Sequence, residues 1–125
     1  MAIPIGSSVV GQWRVFVDWG VTGNPIFATV FTVNANGSWT YPNGGGLWVQ
    51  VEGMCYFNFS NAPGLVYTAN VHRDALSGIM GYAVAGPDPG SGVWWATHPG
   101  APTVAAADEA AAAKPAHDYV TKPKK

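Results

Sequence analysis

The chain has 125 residues, of which 10 % are charged and 13 % are aromatic, with six Trp, a single Cys and a formal net charge of −1. That length describes one domain able to bury a core without metals or cross-links, and a lone Cys55 excludes an internal disulfide. Four acidic and two basic residues among the first 100 give that body a net charge of −2 and no basic stripe, which argues against nucleic acid as a partner.

The opening MAIPIGSSVV is too short, and too broken by Pro4 and Gly6, for a leader or a membrane helix. With one Cys and no leader pattern, the expectation is a reducing, cytoplasmic setting with no membrane partner. Sixteen Gly and ten Pro then punctuate segments rich in Val, Thr, Phe, Tyr and Trp, the signature of short strands joined by turns. The pattern predicts strands at 9–19, 26–34, 37–41, 47–52, 54–60, 65–72, 76–84 and 92–98. Asn34-Ala35-Asn36-Gly37, Asn43-Gly44-Gly45-Gly46 and His72-Arg73-Asp74-Ala75 read as tight links. No helical pattern separates the strands, so βαβ units are excluded and a meander remains.

Eight such strands predict an all-β, antiparallel up-and-down β-barrel over residues 1–100, whose closure removes the sheet edges. Residues 101–125 form an Ala-, Pro- and Lys-rich tail. Thr103 and Pro115 bracket a short helix there, and the last ten residues have the composition of a mobile segment.

Within the strands, Trp13, Val15, Val17 and Trp19 share one phase, with Gln12, Arg14 and Asp18 on the solvent side. Leu47, Val49 and Val51 take the core phase of the fourth strand, opposite Gln50 and Glu52. The second, seventh and eighth strands are apolar on both faces and need cover on both. Trp94 and Trp95 must point to opposite faces. Trp95 is placed inward, so Trp94, with Val30, Met80 and Tyr82, is expected at an interface with a second copy or under the tail.

Catalytic and metal chemistry finds little support. His72-Arg73-Asp74 echoes a kinase tripeptide but lacks every other kinase element, so it reads as a turn. His72, His98 and His117 have no metal-ligand spacing between them or with Cys55, so no metal or cofactor is expected. Glu52 and Asp18 fall on the solvent phase, and Cys55 shares its phase with Phe57 and Phe59, as a buried, inert thiol would. No catalytic residue is assigned.

What stands out is aromatic. Trp13, Phe31, Trp39, Tyr41, Phe57, Tyr67 and Trp95 share the assigned inward phase, and an eight-stranded barrel can hold one small ligand. These seven are the candidate ligand-binding residues for a small apolar or aromatic molecule, with Thr29, Tyr67 and Thr97 as hydrogen-bonding groups. The alternative is that the rings simply fill the barrel.

Gly11-Gln12-Trp13 on the first strand, followed by about eight strands inside 100 residues, resembles the calycin superfamily, in which Gly-x-Trp opens lipocalins and avidins. The short hairpins and Trp-rich strands are more similar to the avidin-like barrels, and the resemblance covers residues 9–98 as a pattern. It implies a barrel that binds a small ligand in its open end, assembles through its outer faces and has Trp13 on its floor. The polar ligand set of avidins does not align here, so biotin is not implied, and the late-strand Arg that caps the lipocalin Trp is absent. Two other functions fit the composition: a small barrel enzyme, of cyclase or isomerase type, shaping an apolar substrate, and a lectin-like module stacking sugars on exposed aromatics.

Overall fold

The computed structural model describes residues 8–83, 90–99 and 119–121. Eight strands run in chain order: β1 (Gly11–Trp19), β2 (Ile26–Val33), β3 (Ser38–Tyr41), β4 (Gly44–Val51), β5 (Met54–Asn58), β6 (Leu65–His72), β7 (Ala75–Tyr82) and β8 (Ser91–Thr97). Each pairs antiparallel with its sequence neighbour, and β8 returns to β1 to close the barrel. This is the closed, eight-stranded, antiparallel up-and-down barrel that the pattern implied. Among the described residues no helix is long and apolar enough to cross a membrane. The helix expected between Thr103 and Pro115 lies outside the described residues.

Alternation places one end of the barrel where β1 begins and β8 ends, here called the floor. The mouth is the opposite end, where β1 ends and the β1–β2, β3–β4, β5–β6 and β7–β8 connections gather. The floor is built on Trp13, fully buried, whose indole N–H donates to the Val9 carbonyl at 2.8 Å. His98, just past the end of β8, stacks on that indole with ring centroids 3.8 Å apart. Gln50 Oε1 accepts from the Val9 N–H at 2.9 Å and ties the entering chain across the floor.

Residues directly opposite in an antiparallel ladder share a face, so the register assigns every phase. In β1 the inward set is Trp13, Val15, Val17 and Trp19, as the alternation predicts. Two other strands are corrected. In β8, Trp94 pairs with Val17 and is 1 % exposed, so it is Trp94 that enters the core. Trp95 pairs with Phe16 and stacks on its ring at 5.4 Å on the outer wall, beside Phe27. The reason lies on β7. Trp94 faces Gly78, which leaves room for the indole, and its N–H reaches the Thr68 and Ile79 carbonyls at 3.0 and 3.2 Å.

In β4 the phase is likewise the reverse of that expected. Trp48 pairs with Phe57 and Gln50 with Cys55, so Gly44, Gly46, Trp48 and Gln50 face inward. Leu47, Val49 and Val51 are left outside at 62, 51 and 59 % exposure. Trp39 and Tyr41 of β3 face Gly46 and Gly44, and only glycine fits there, since a Cβ on Gly46 would lie 2.2 Å from the Asn58 carbonyl oxygen. The bulk of the neighbouring rings therefore outranks the apolar character of three aliphatic residues in setting the phase.

Candidate functional site

Inside the barrel, Phe31 is the hub of an aromatic cluster. Its ring centroid lies 4.4 Å from that of Trp39, 5.8 Å from both Phe57 and Tyr67, 5.9 Å from Tyr41 and 6.2 Å from Trp94. The tilted and edge-on arrangements are those aromatic quadrupoles favour. Phe31, Trp39, Phe57, Tyr67 and Trp94 are each no more than 1 % exposed. A void wide enough for water beside them would leave accessible surface on their rings, so in this state the rings fill the middle of the barrel. The accessible chemistry is at the mouth.

There, three side-chain donors converge. The Trp19 indole N–H, at the end of β1, donates to the Tyr119 carbonyl at 2.8 Å. The Tyr67 hydroxyl, on the mouth side of β6, donates to the Val120 carbonyl, and the Tyr82 hydroxyl, at the end of β7, donates to the Thr121 carbonyl at 2.7 Å. Three consecutive backbone carbonyls are thus read by three side chains from three strands. Val120 is buried at 1 % exposure and belongs to the hydrophobic core, with Tyr119 packed partly buried against it. Below lies an apolar bed: Tyr67 meets Trp94 and Phe59 at 5.1 Å each. Tyr41, also at this end, accepts from the Asn61 amide at 2.8 Å.

A recess of about 160 Å³ beside the mouth is lined by Val17, Asp18, Trp19, Thr22, Asn24 and Ile26. It is smaller than the ~300 Å³ at which ligand sites begin. Asp18 shapes its wall. One carboxylate oxygen accepts from the Thr22 N–H at 2.9 Å and the Thr22 hydroxyl at 2.8 Å, the other from the Gly23 N–H at 2.9 Å. The backbone and hydroxyl of Thr22, with Gly23 adding to them, hold the Asp18 carboxyl below its ordinary value against the opposing cost of burial. Asp18 is outward in phase, as expected, but buried rather than solvated.

Of the seven residues proposed for ligand binding, Phe31, Trp39, Tyr41, Phe57 and Tyr67 come together in one cluster. Trp13 sits apart on the floor, and Trp95 lies outside. Thr29 is inward and buried, whereas Thr97 faces out beside Arg14, whose Nη2 donates to it at 3.5 Å. Of the expected interface set, Val30 is on the outer wall next to Arg14, Met80 and Trp94 are inside, and Tyr82 holds the chain's own C-terminal segment. Trp19 and the Tyr119–Thr121 segment escaped the sequence reading of the site, and Tyr82 was expected at an interface or under the tail rather than as a donor at the mouth. The available signal was Tyr119-Val120, a bulky apolar pair in a tail made mostly of Ala, Pro and charged residues.

The chain's nucleophile candidate is shielded. Cys55 is buried, and desolvation pushes its thiol up to about 12. His72, Arg73 and Asp74 lie exposed at the β6–β7 turn of the floor end. No three His, Cys, Asp or Glu side chains gather among the described residues. No protein-family model, curated protein or solved structure matches this chain.

Proposed function

We propose that this barrel is a binding protein for a small apolar or aromatic molecule taken at the mouth. The ligand would lie on the bed formed by Phe59, Tyr67 and Trp94, with acceptor oxygens toward Trp19, Tyr67 and Tyr82. The observation that carries the reading is the convergence of those three donors on the Tyr119–Thr121 carbonyls above an aromatic bed. A few directed donors over an apolar surface is the composition of small-ligand sites. The enclosed position of the rings favours a cup over a lectin-like surface, which needs flat aromatics open to solvent. An isomerase or cyclase would use the same mouth and would betray itself by a changed product.

Native mass spectrometry of the untreated purified protein, joined to Trp fluorescence titration with a panel of aromatic and apolar compounds, tests the reading. The expected result is a bound mass or a saturable spectral shift in the wild type or in Val120→Asp, and its loss in the same chain carrying Tyr67→Phe. Neither form taking up any member of the panel refutes it.

We also propose that the protein is a homo-oligomer that pairs through the outer face of β4 and β5. Leu47, Val49, Val51, Met54 and Tyr56 are all exposed there, and the Val49–Tyr56 and Val51–Met54 pairs make them contiguous. The five side chains are uncharged and expose on the order of 400 Å², within the range of the largest apolar patch on a monomer, which is often functional. A stable pairing buries ~800 Å² per partner, so the interface would also take in neighbouring strands. A contact of this face with its own copy about a two-fold axis uses the same patch on both subunits.

A further inference from the structure

The occupant of the mouth is itself informative. Its three partners do not read side chains; they read main-chain oxygens of three successive residues, while one aliphatic side chain, Val120, fills the apolar position. A polypeptide presents carbonyls at that repeat. We propose, building on the assignment of the mouth as the binding end, that the site is a peptide-binding cup and that Tyr119-Val120-Thr121 is its tethered occupant. The segment competes with peptides of the same chemistry offered in trans: a buried aliphatic residue flanked by accessible backbone carbonyls.

The topology fits an occupant whose departure leaves the strand ladder intact. The ladder is complete without it, since β8 closes directly on β1. β8 ends at the floor with Thr97, whereas Tyr119 sits at the mouth. An eight-residue strand covers ~26 Å, and the residues between Thr97 and Tyr119 can reach ~70 Å when extended. A covalent connection whose contour length exceeds the span holds its end at an effective concentration of order millimolar, enough to mask a site of modest affinity from a free peptide. An outside peptide then meets only the fraction of molecules whose mouth is open.

Fluorescence anisotropy with a labelled peptide of residues 117–125, HDYVTKPKK, tests this on the full-length chain. Val120→Asp, which would bury an unpaired carboxylate, is expected to expel the tethered segment. The expelled form should bind the peptide at least ~10-fold more tightly than the wild type does. Adding Tyr67→Phe should weaken that binding, and a peptide with Asp in place of its Val should not bind. Val120→Ala, a milder change, should fall between wild type and Val120→Asp and serves if the Asp variant fails to fold. Folded variants, judged by near-ultraviolet Trp dichroism, that bind the peptide no better than wild type overturn the proposal. If such a variant takes up apolar or aromatic compounds but not the peptide, the peptide class is wrong and the mouth remains the binding end. If it takes neither, both proposals fall.

Discussion

Asp18 stands at the mouth end of β1, where the chain must leave the strand and enter the β1–β2 loop. Its carboxylate collects three hydrogen bonds from Thr22 and Gly23, and these organise a loop that also contains Val21 at φ 51°, a left-handed conformation that a β-branched residue resists. Because the folded protein holds the carboxyl below its ordinary value of 3.8, the stabilisation is present above that value. It is lost as the pH falls through the lowered folded value. Asp18→Asn should therefore lower the urea midpoint at neutral pH, and the gap from wild type should close as both are titrated below about pH 4. A gap that stays constant across that range would remove Asp18 from the loop's stability.

At the scale of the strand, the recurrent device is a Trp opposite a Gly. Trp39 faces Gly46, Trp94 faces Gly78 and Trp19 faces Gly92 across neighbouring ladders. In each pair the glycine lets a neighbouring backbone come close. A Cβ on Gly78 would lie 1.7 Å from the Thr68 carbonyl oxygen, and one on Gly92 would lie 2.4 Å from that of Asp18. Thr68 is also the residue whose carbonyl accepts from Trp94, so crowding Gly78 disturbs both packing and a hydrogen bond. Gly78→Ala should cost about 2–3 kcal/mol in denaturant unfolding, the upper range of overpacking. Gly53→Ala, whose Cβ would meet nothing within 4 Å, is the matched control and should change stability little. Equal effects at the two positions would exclude close backbone approach as the reason for glycine on β7.

For the molecule as a whole, closure resolves the edge problem but not the surface problem. The interior is saturated with rings, so the aliphatic residues displaced from β4 appear outside, joined to Met54 and Tyr56 of β5. The small charge content of the body leaves little to screen such a face. Val49→Lys places a charge at its centre and should weaken self-association about tenfold or more, read by light scattering across a dilution series. Association unchanged by Val49→Lys would move the interface elsewhere, and a monomeric wild type would remove it.

The sequence by itself determined the class, the strand count, the meander and the approximate strand limits, because period-two alternation and Gly- or Asn-rich turns are local properties. It determined that Trp94 and Trp95 take opposite sides and that Phe31, Trp39, Tyr41, Phe57 and Tyr67 share an interior. Only the tertiary structure decided which side each takes. The phases of β4 and β8 depend on which neighbouring strand offers a glycine to a ring, a relation between residues such as Gly78 and Trp94 that no single strand contains. Likewise the docking of Tyr119–Thr121 joins β1, β6 and β7 to a distant segment through three hydrogen bonds to backbone carbonyls, and the carbonyl is the one group that every residue type carries alike.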